Sequence, residues 1–304
     1  MARDTPLTAL NYANVAAYIL NAFVTYLVGT TDIFGRSNEY VSAKYQTIIT
    51  PAGYAFAIWG IIFTLELLFV IVQCTQAVRA TDVVQKGVGW AWVSACVFQT
   101  LWTLAFAQEK IMLSTVLITG IFLSLGVAVK RSASMAALES YDFICRVPLA
   151  IHFSWLAAAT ALNVNILVVD NGGSASDQLA VGFVALALVL VNACLIATKD
   201  FKGRAVPAAV AAWAVAAIGS ELSTPMNKEI CEAATGGDDC NMISEIFDAD
   251  TIAGVQKTAY ALAVVSAATV LLAVVAGLTK ARSAASSSAA QLVLPTLKAP
   301  LIQY

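Results

Sequence analysis

Six tryptophans, a lone histidine and an acid set in an apolar stretch are the side chains of this sequence with chemistry to offer. Trp102 and Trp155 lie well inside apolar runs, Phe106 one turn beyond the first, Thr160 and Asn163 beyond the second. An indole ring can stack on a flat apolar ligand, and its N–H seeks an acceptor once buried. The same residues can equally pack one helix on another. Trp90 and Trp92 open an apolar run, where tryptophan ordinarily anchors at a membrane–water boundary. After Pro51 come Tyr54 and Trp59, about 140° apart on a helical wheel, whereas Ala55, Trp59 and Ile62 share a stripe. Glu66 is embedded in Thr64-Leu65-Glu66-Leu67-Leu68. An acid there costs about 2.5–3.5 kcal/mol on insertion scales, so it should face protein rather than lipid. Its sequence neighbours offer it no proton-relay partner. His152 is either a packing and hydrogen-bonding residue or a ligand to the metal of a haem or chlorophyll. There is no Ser-His-Asp set, no metal-ligand spacing and no phosphate-cradling glycine loop, which predicts that the chain is not an enzyme.

The elements that must position these residues follow from composition. Of 304 residues, 60% are hydrophobic and 12% charged, and the mean hydropathy is +0.79. Soluble domains carry about twice that share of charge, so the excess apolar surface must face lipid. Seventeen basic against nineteen acidic residues leave no positive field for nucleic acid. With about 20 apolar residues needed per crossing, the chain divides into eight spans, near 9–29, 51–73, 88–107, 111–129, 147–169, 179–198, 205–220 and 255–278. The predicted fold is an all-α, polytopic membrane helical bundle. Its seventh span is the weakest, short, Ala-rich and interrupted by Pro207. Met1–Thr8 does not read as a cleaved signal.

Eight spans place both termini on one side. That side collects twelve of the seventeen basic residues: Arg3, Arg79, Lys86, Lys130, Arg131, Arg146, Lys199, Lys202, Arg204, Lys280, Arg282 and Lys298. The positive-inside rule makes it cytosolic, stromal or matrix. The far side carries the acidic loop 221–250, with Glu221, Glu229, Glu232, Asp238, Asp239, Glu245, Asp248 and Asp250 against Lys228. Cys231 and Cys240 in that loop are expected to form a disulfide if it faces an oxidising lumen. Cys74, Cys96, Cys145 and Cys194 read as small apolar fillers. Thr30–Thr50, holding Phe34, Tyr40 and Tyr45, is a lid or a connector over a helix end. Asn11, Asn14 and Asn21 on the first span, with Asn163 and Asn165 on the fifth, read as helix-to-helix glue. Asn171–Asp177 reads as a hinge, dividing the chain into 1–170, 171–280 and a tail, 281–304. In that tail the Ala/Ser-rich stretch Ala281–Ala290 is expected to be disordered, and Gln291–Tyr304 could dock.

Three segments carry a resemblance. Pro51-Ala-Gly-Tyr-Ala-Phe-Ala-Ile-Trp59-Gly60 opens the second span, Gln99-Thr-Leu-Trp102-Thr-Leu-Ala-Phe106 lies in the third, and Trp155-Leu-Ala-Ala-Ala-Thr-Ala-Leu-Asn163 in the fifth. Together, and in that order, they resemble the TspO/translocator protein (tryptophan-rich sensory protein) family over about residues 9–170. Pro148 departs from the pattern, lying seven residues before Trp155 instead of about four, and the last three spans are additions to the short form. The resemblance implies a five-helix core whose pocket binds porphyrins, sterols or other flat lipophilic molecules for transport, sensing or sequestration. It would place Tyr54, Trp59, Trp102, Phe106, Trp155 and Asn163 around that pocket; His152, read on its own as a metal-ligand candidate, is counted with them as a ligand-binding residue. Two other readings stay open, an accessory subunit of a large respiratory or photosynthetic membrane complex and a secondary transporter of small solutes. Expected partners are the lipid bilayer, a lipophilic small molecule, and a second copy or a larger complex.

Overall fold

A computed structural model describes residues 5–197, 205–237 and 240–293, and every regular element among them is helical. They are α1 (Ala9–Gly29), α2 (Asn38–Lys44), α3 (Ile58–Val72), α4 (Gly89–Ala107), α5 (Ile111–Ala133), α6 (Asp142–Asp170), α7 (Ala175–Ala197), α8 (Val206–Glu221), α9 (Lys228–Thr235), α10 (Ile243–Ile246) and α11 (Ala249–Val293). A 3₁₀ turn, Gly53–Ala57, leads into α3, and a π turn, Val83–Val88, leads into α4. Seven helical segments are long and apolar enough to cross a membrane; the eighth expected crossing, Val206–Glu221, is shorter. The chain is a multi-pass membrane bundle. Arg3, Lys199, Lys202, Arg204, Asp238, Asp239, Lys298 and the segment 294–304 lie outside the described residues.

Local sequence explains most helix ends. Thr8 and Asn11 form a reciprocal capping box at the start of α1. Ser174 and Asp177 bond each other across the first turn of α7, and the turn before it uses Gly172 at φ +69°, a conformation in which glycine avoids the Cβ penalty. Pro207 does not interrupt α8; it stands in the first turn, where its missing N–H costs nothing. Pro148, by contrast, is inside α6, which begins at Asp142, so His152 is nearly three turns into the helix rather than one. The Ala/Ser-rich stretch after Lys280, expected to be disordered, continues α11 to Val293. Extending an existing helix escapes the nucleation penalty, and alanine is the best helix former.

Helices α1, α3, α4, α5 and α6 surround one core, with Ile62, Phe69, Trp92, Ile121, Leu125 and Leu156 fully buried. Helices α7 and α8 pack against α6, and α11 packs against α8, around a second cluster that includes Ile48, Leu186, Ile218 and Val255. Asn11, Asn14, Asn21 and Asn163 do reach another helix or its end, as when Asn11 donates to Gln73 at 2.6 Å and Asn21 to Gln99 at 3.1 Å, whereas Asn165, also read as glue, donates to Ala161 of its own helix.

One end of the bundle is capped. Gln46 donates to Glu221 at 2.7 Å, accepts from the Met226 amide at 3.1 Å, and its carbonyl accepts from Asn241 at 2.6 Å. Lys44 and Tyr45 both reach Glu109, at 2.6 and 3.0 Å; burial, then that hydrogen bond, push the Tyr45 hydroxyl above the ordinary phenol range. A disulfide joins Cys231 of α9 to Cys240. Thr30–Thr50 is thereby tied to both the α4–α5 turn and the acidic loop, its residues Gln46–Thr50 buried.

Candidate functional site

Where Glu66 lies is set by the stripe that begins in the 3₁₀ turn. Ala55, Ile62 and Glu66 are buried, with Trp59 between them partly so. At 1.5 Å per residue Glu66 is about 12 Å along α3 and His152 about 15 Å along α6, so both sit well inside their helices, away from the ends. Their side chains meet. His152 Nδ1 is 2.8 Å from Glu66 Oε1, with the residues 1% and 0% exposed. Trp92 Nε1 of α4 donates to the same carboxyl oxygen at 3.2 Å, and Phe69 packs edge-on against the Trp92 ring. Three helices thus converge on one carboxyl group. Trp92, grouped in sequence with the tryptophans that anchor at a boundary or pack helices, is buried and packs; Trp90 beside it is 58% exposed. The side-chain partner that the sequence neighbours of Glu66 do not supply comes from another helix.

The remaining aromatics fall into two further groups. Trp59 stands edge-on to both His152 and Trp155, with ring centroids 5.6 and 6.3 Å away. Trp155 is buried, and its Nε1 has no protein partner. It also meets Phe56 edge-on and lines an almost wholly apolar cleft with Pro51, Phe56, Leu162, Val189 and Ala214. This cleft lies between α6, α7 and α8. About 30 Å³ of it is free, room for two or so water molecules.

Trp102 and Asn163 form the other group, away from the cleft lining. Trp102 Nε1 donates to Asn163 Oδ1 at 3.0 Å, its ring stacks on Phe106 with centroids 5.1 Å apart, and Asn163 Nδ2 donates to Ser114 and Thr115. Every polar atom here has a partner, which is the signature of a packing lock. Asn163→Leu is expected to cost about 1–3 kcal/mol by stranding the indole N–H, measured as a lower midpoint in denaturant titration of detergent-solubilised protein. Tyr54 is 50% exposed and packs edge-on against Trp213 of α8, apart from the other six. Trp213, whose Nε1 holds the Ala55 carbonyl at 3.1 Å, was not singled out from sequence. No signal marked it, since it lies beyond the three resembling segments.

The profile of one protein family, described as TSPO-like protein, matches residues 11–236. The chain belongs to that family. The match runs past residue 170 and takes in α7, α8 and α9, so the added helices up to that point fall within the family's extent. Comparison with curated proteins and with solved structures gives no match. Among the described residues no three His, Cys, Asp or Glu side chains group in a way that could hold a metal ion. His152 has its Nδ1 committed to Glu66 and its buried Nε2 without a partner.

Proposed function

We propose that this TSPO-like protein is a non-catalytic binder of a flat lipophilic ligand, a tetrapyrrole or a sterol, which it transports, senses or sequesters with both termini on the cytosolic, stromal or matrix side. The observation that carries the reading is Trp155, whose ring lines the apolar cleft and whose buried Nε1 lacks a protein acceptor. Burying an indole N–H without a partner is costly, and a ligand with an acceptor at its edge would remove that cost. A macrocycle needs far more room than 30 Å³, so binding requires α7 or α8 to shift from α6, and the ligand selects that open state.

Titration with protoporphyrin tests this. Saturable quenching of tryptophan fluorescence is expected for the protein in detergent. In Trp155→Leu, followed through the porphyrin's own absorption, the Kd should rise about tenfold, equivalent to about 1.4 kcal/mol of lost stacking and hydrogen bonding. If quenching does not saturate, neither porphyrin binding nor the assignment of Trp155 stands.

A second reading, an accessory subunit of a larger membrane complex, draws on α11. Its apolar positions Val264, Leu271, Leu272 and Leu278 are exposed, and the helix continues thirteen residues past Lys280. Native-gel migration at several hundred kilodaltons from its own membrane would move this reading to first place, and migration as a monomer or dimer would remove it.

A further inference from the structure

We propose that Glu66 and His152 form a proton relay at the centre of the bundle and that this protein conducts protons across its membrane. This function is separate from ligand binding and does not depend on it. The pair is an expensive way to hold α3 to α6, because apolar residues of similar volume would do so at equal or greater stability. Ionisable groups retained at this depth belong to ion and proton pathways as a class. The pair also has two free ends. Oε1 and Nδ1 face one another at 2.8 Å, while Glu66 Oε2 and His152 Nε2 are buried with no protein partner.

The transfer balances. With the shared proton on Oε1 and the ring protonated on Nε2, a proton arriving at Oε2 lets the Oε1 proton cross to Nδ1 as Nε2 releases its own. One proton enters, one leaves, and the net charge of the pair is unchanged. Turning over of the carboxyl brings its new proton back to face the ring. The imidazole swings Nδ1–H away from Glu66, gives that proton to water on the exit side while Nε2 takes one up from the same water, and swings back. This restores the starting arrangement with no further net transfer. Tyr18 of α1 and Cys96 of α4 also lie within electrostatic reach of Glu66. Tyr18 spends its hydroxyl proton on the Phe63 carbonyl at 2.8 Å, and Trp92 holds Oε1 from α4.

Further buried polar groups lie on either side of the pair along α3 and α6. Gln73 is seven residues beyond Glu66, on the same face of α3, and receives Asn11 at 2.6 Å; on α1, one turn on from Asn11, Asn14 Oδ1 is buried without a partner. Towards the capped end, α6 presents Trp155 Nε1 and Thr160 Oγ1, also buried and unpartnered. Native proteins satisfy such groups with ordered water, the medium through which protons hop.

Full-length protein in phosphatidylcholine–phosphatidylglycerol vesicles, with a trapped pH dye and a potassium–valinomycin voltage, reads the flux directly. Wild type and Trp90→Phe should acidify the lumen faster than protein-free vesicles. Glu66→Gln and His152→Gln, which keep shape and hydrogen bonds but not the titratable group, should fall to the protein-free rate. Each variant is admitted only if it elutes as a single species with wild-type helical content. Should one fail that check, the other decides. Wild-type flux equal to that of protein-free vesicles, or undiminished flux in a folded variant, overturns the proposal. Porphyrin titration of the same preparations leaves the ligand reading independently decided.

Discussion

Glu66→Leu and His152→Leu are each expected to destabilise the bundle by about 3–5 kcal/mol, while the double variant recovers most of that loss. Either single change strands a polar partner where almost no water reaches it. Without His152, Glu66 keeps only the Trp92 N–H as a donor. Without Glu66, both the imidazole Nδ1 and the Trp92 indole lose their acceptor. The double variant removes both members and replaces them with apolar volume, leaving only the indole N–H unpaired, at a cost of about 1–3 kcal/mol. The double-mutant cycle therefore predicts a coupling of several kcal/mol, well above the 0.5 kcal/mol scatter of independent sites. Denaturant titration in mixed micelles measures all four corners. Additive losses would mean that the 2.8 Å contact carries no coupling energy.

Helix positions and ends were largely legible in the sequence, because a bilayer imposes its own ruler: α1 occupies the expected 9–29, and α3, α5 and α8 begin or end within a few residues of their apolar runs. The polar glue was legible for a related reason, since an asparagine in a span gains most from a partner on a neighbouring helix; Asn165, which bonds the Ala161 carbonyl one turn back, is the exception. What could not be read was which helix faces which. Glu66 and His152 are 86 residues apart, and no local pattern links an i, i+3 neighbourhood on α3 to one on α6. Trp92 lies deeper than its place near the start of an apolar run suggests, because the π turn Val83–Val88 extends that span at its N-terminal end and the indole falls within the buried core. Trp102 and Trp155 looked equivalent by depth. Their environments separate them: one indole has an acceptor in Asn163, and the other has none among the protein's atoms. The tail after Lys280 shows the opposite failure, a composition typical of disorder held helical by the span preceding it.

Gly35→Ala should be a severely disruptive glycine replacement among the described residues. Gly35 has φ +150°, and a Cβ there would lie 2.2 Å from the carbonyl oxygen and 2.6 Å from the carbonyl carbon of Ala107. Both obstacles are backbone, so no rotamer change relieves them. The contact is fixed from the other side as well, since the next amide, Arg36 N, donates to that same carbonyl at 2.7 Å. Ala107 ends α4, whose last carbonyls need partners from outside the helix, and the chain lies close over that end to provide one. Adding a methyl combines backbone strain with overpacking, for an expected loss of about 2–5 kcal/mol. The loss should be local in its first effect. The Thr30–Lys44 segment lifts from α4, and the contacts of Lys44 and Gln46 with Glu109 and Glu221 loosen with it, exposing residues 30–44 to added protease before the membrane helices unfold. Gly53→Ala is the matched control. A Cβ at Gly53 meets nothing within 4 Å, so that change should leave both the thermal midpoint and the cleavage pattern at wild-type values, or raise stability by about 0.4–1 kcal/mol through the unfolded chain. Equal protease sensitivity in the two variants would show that the capped end is not held by the close approach of Gly35 to α4.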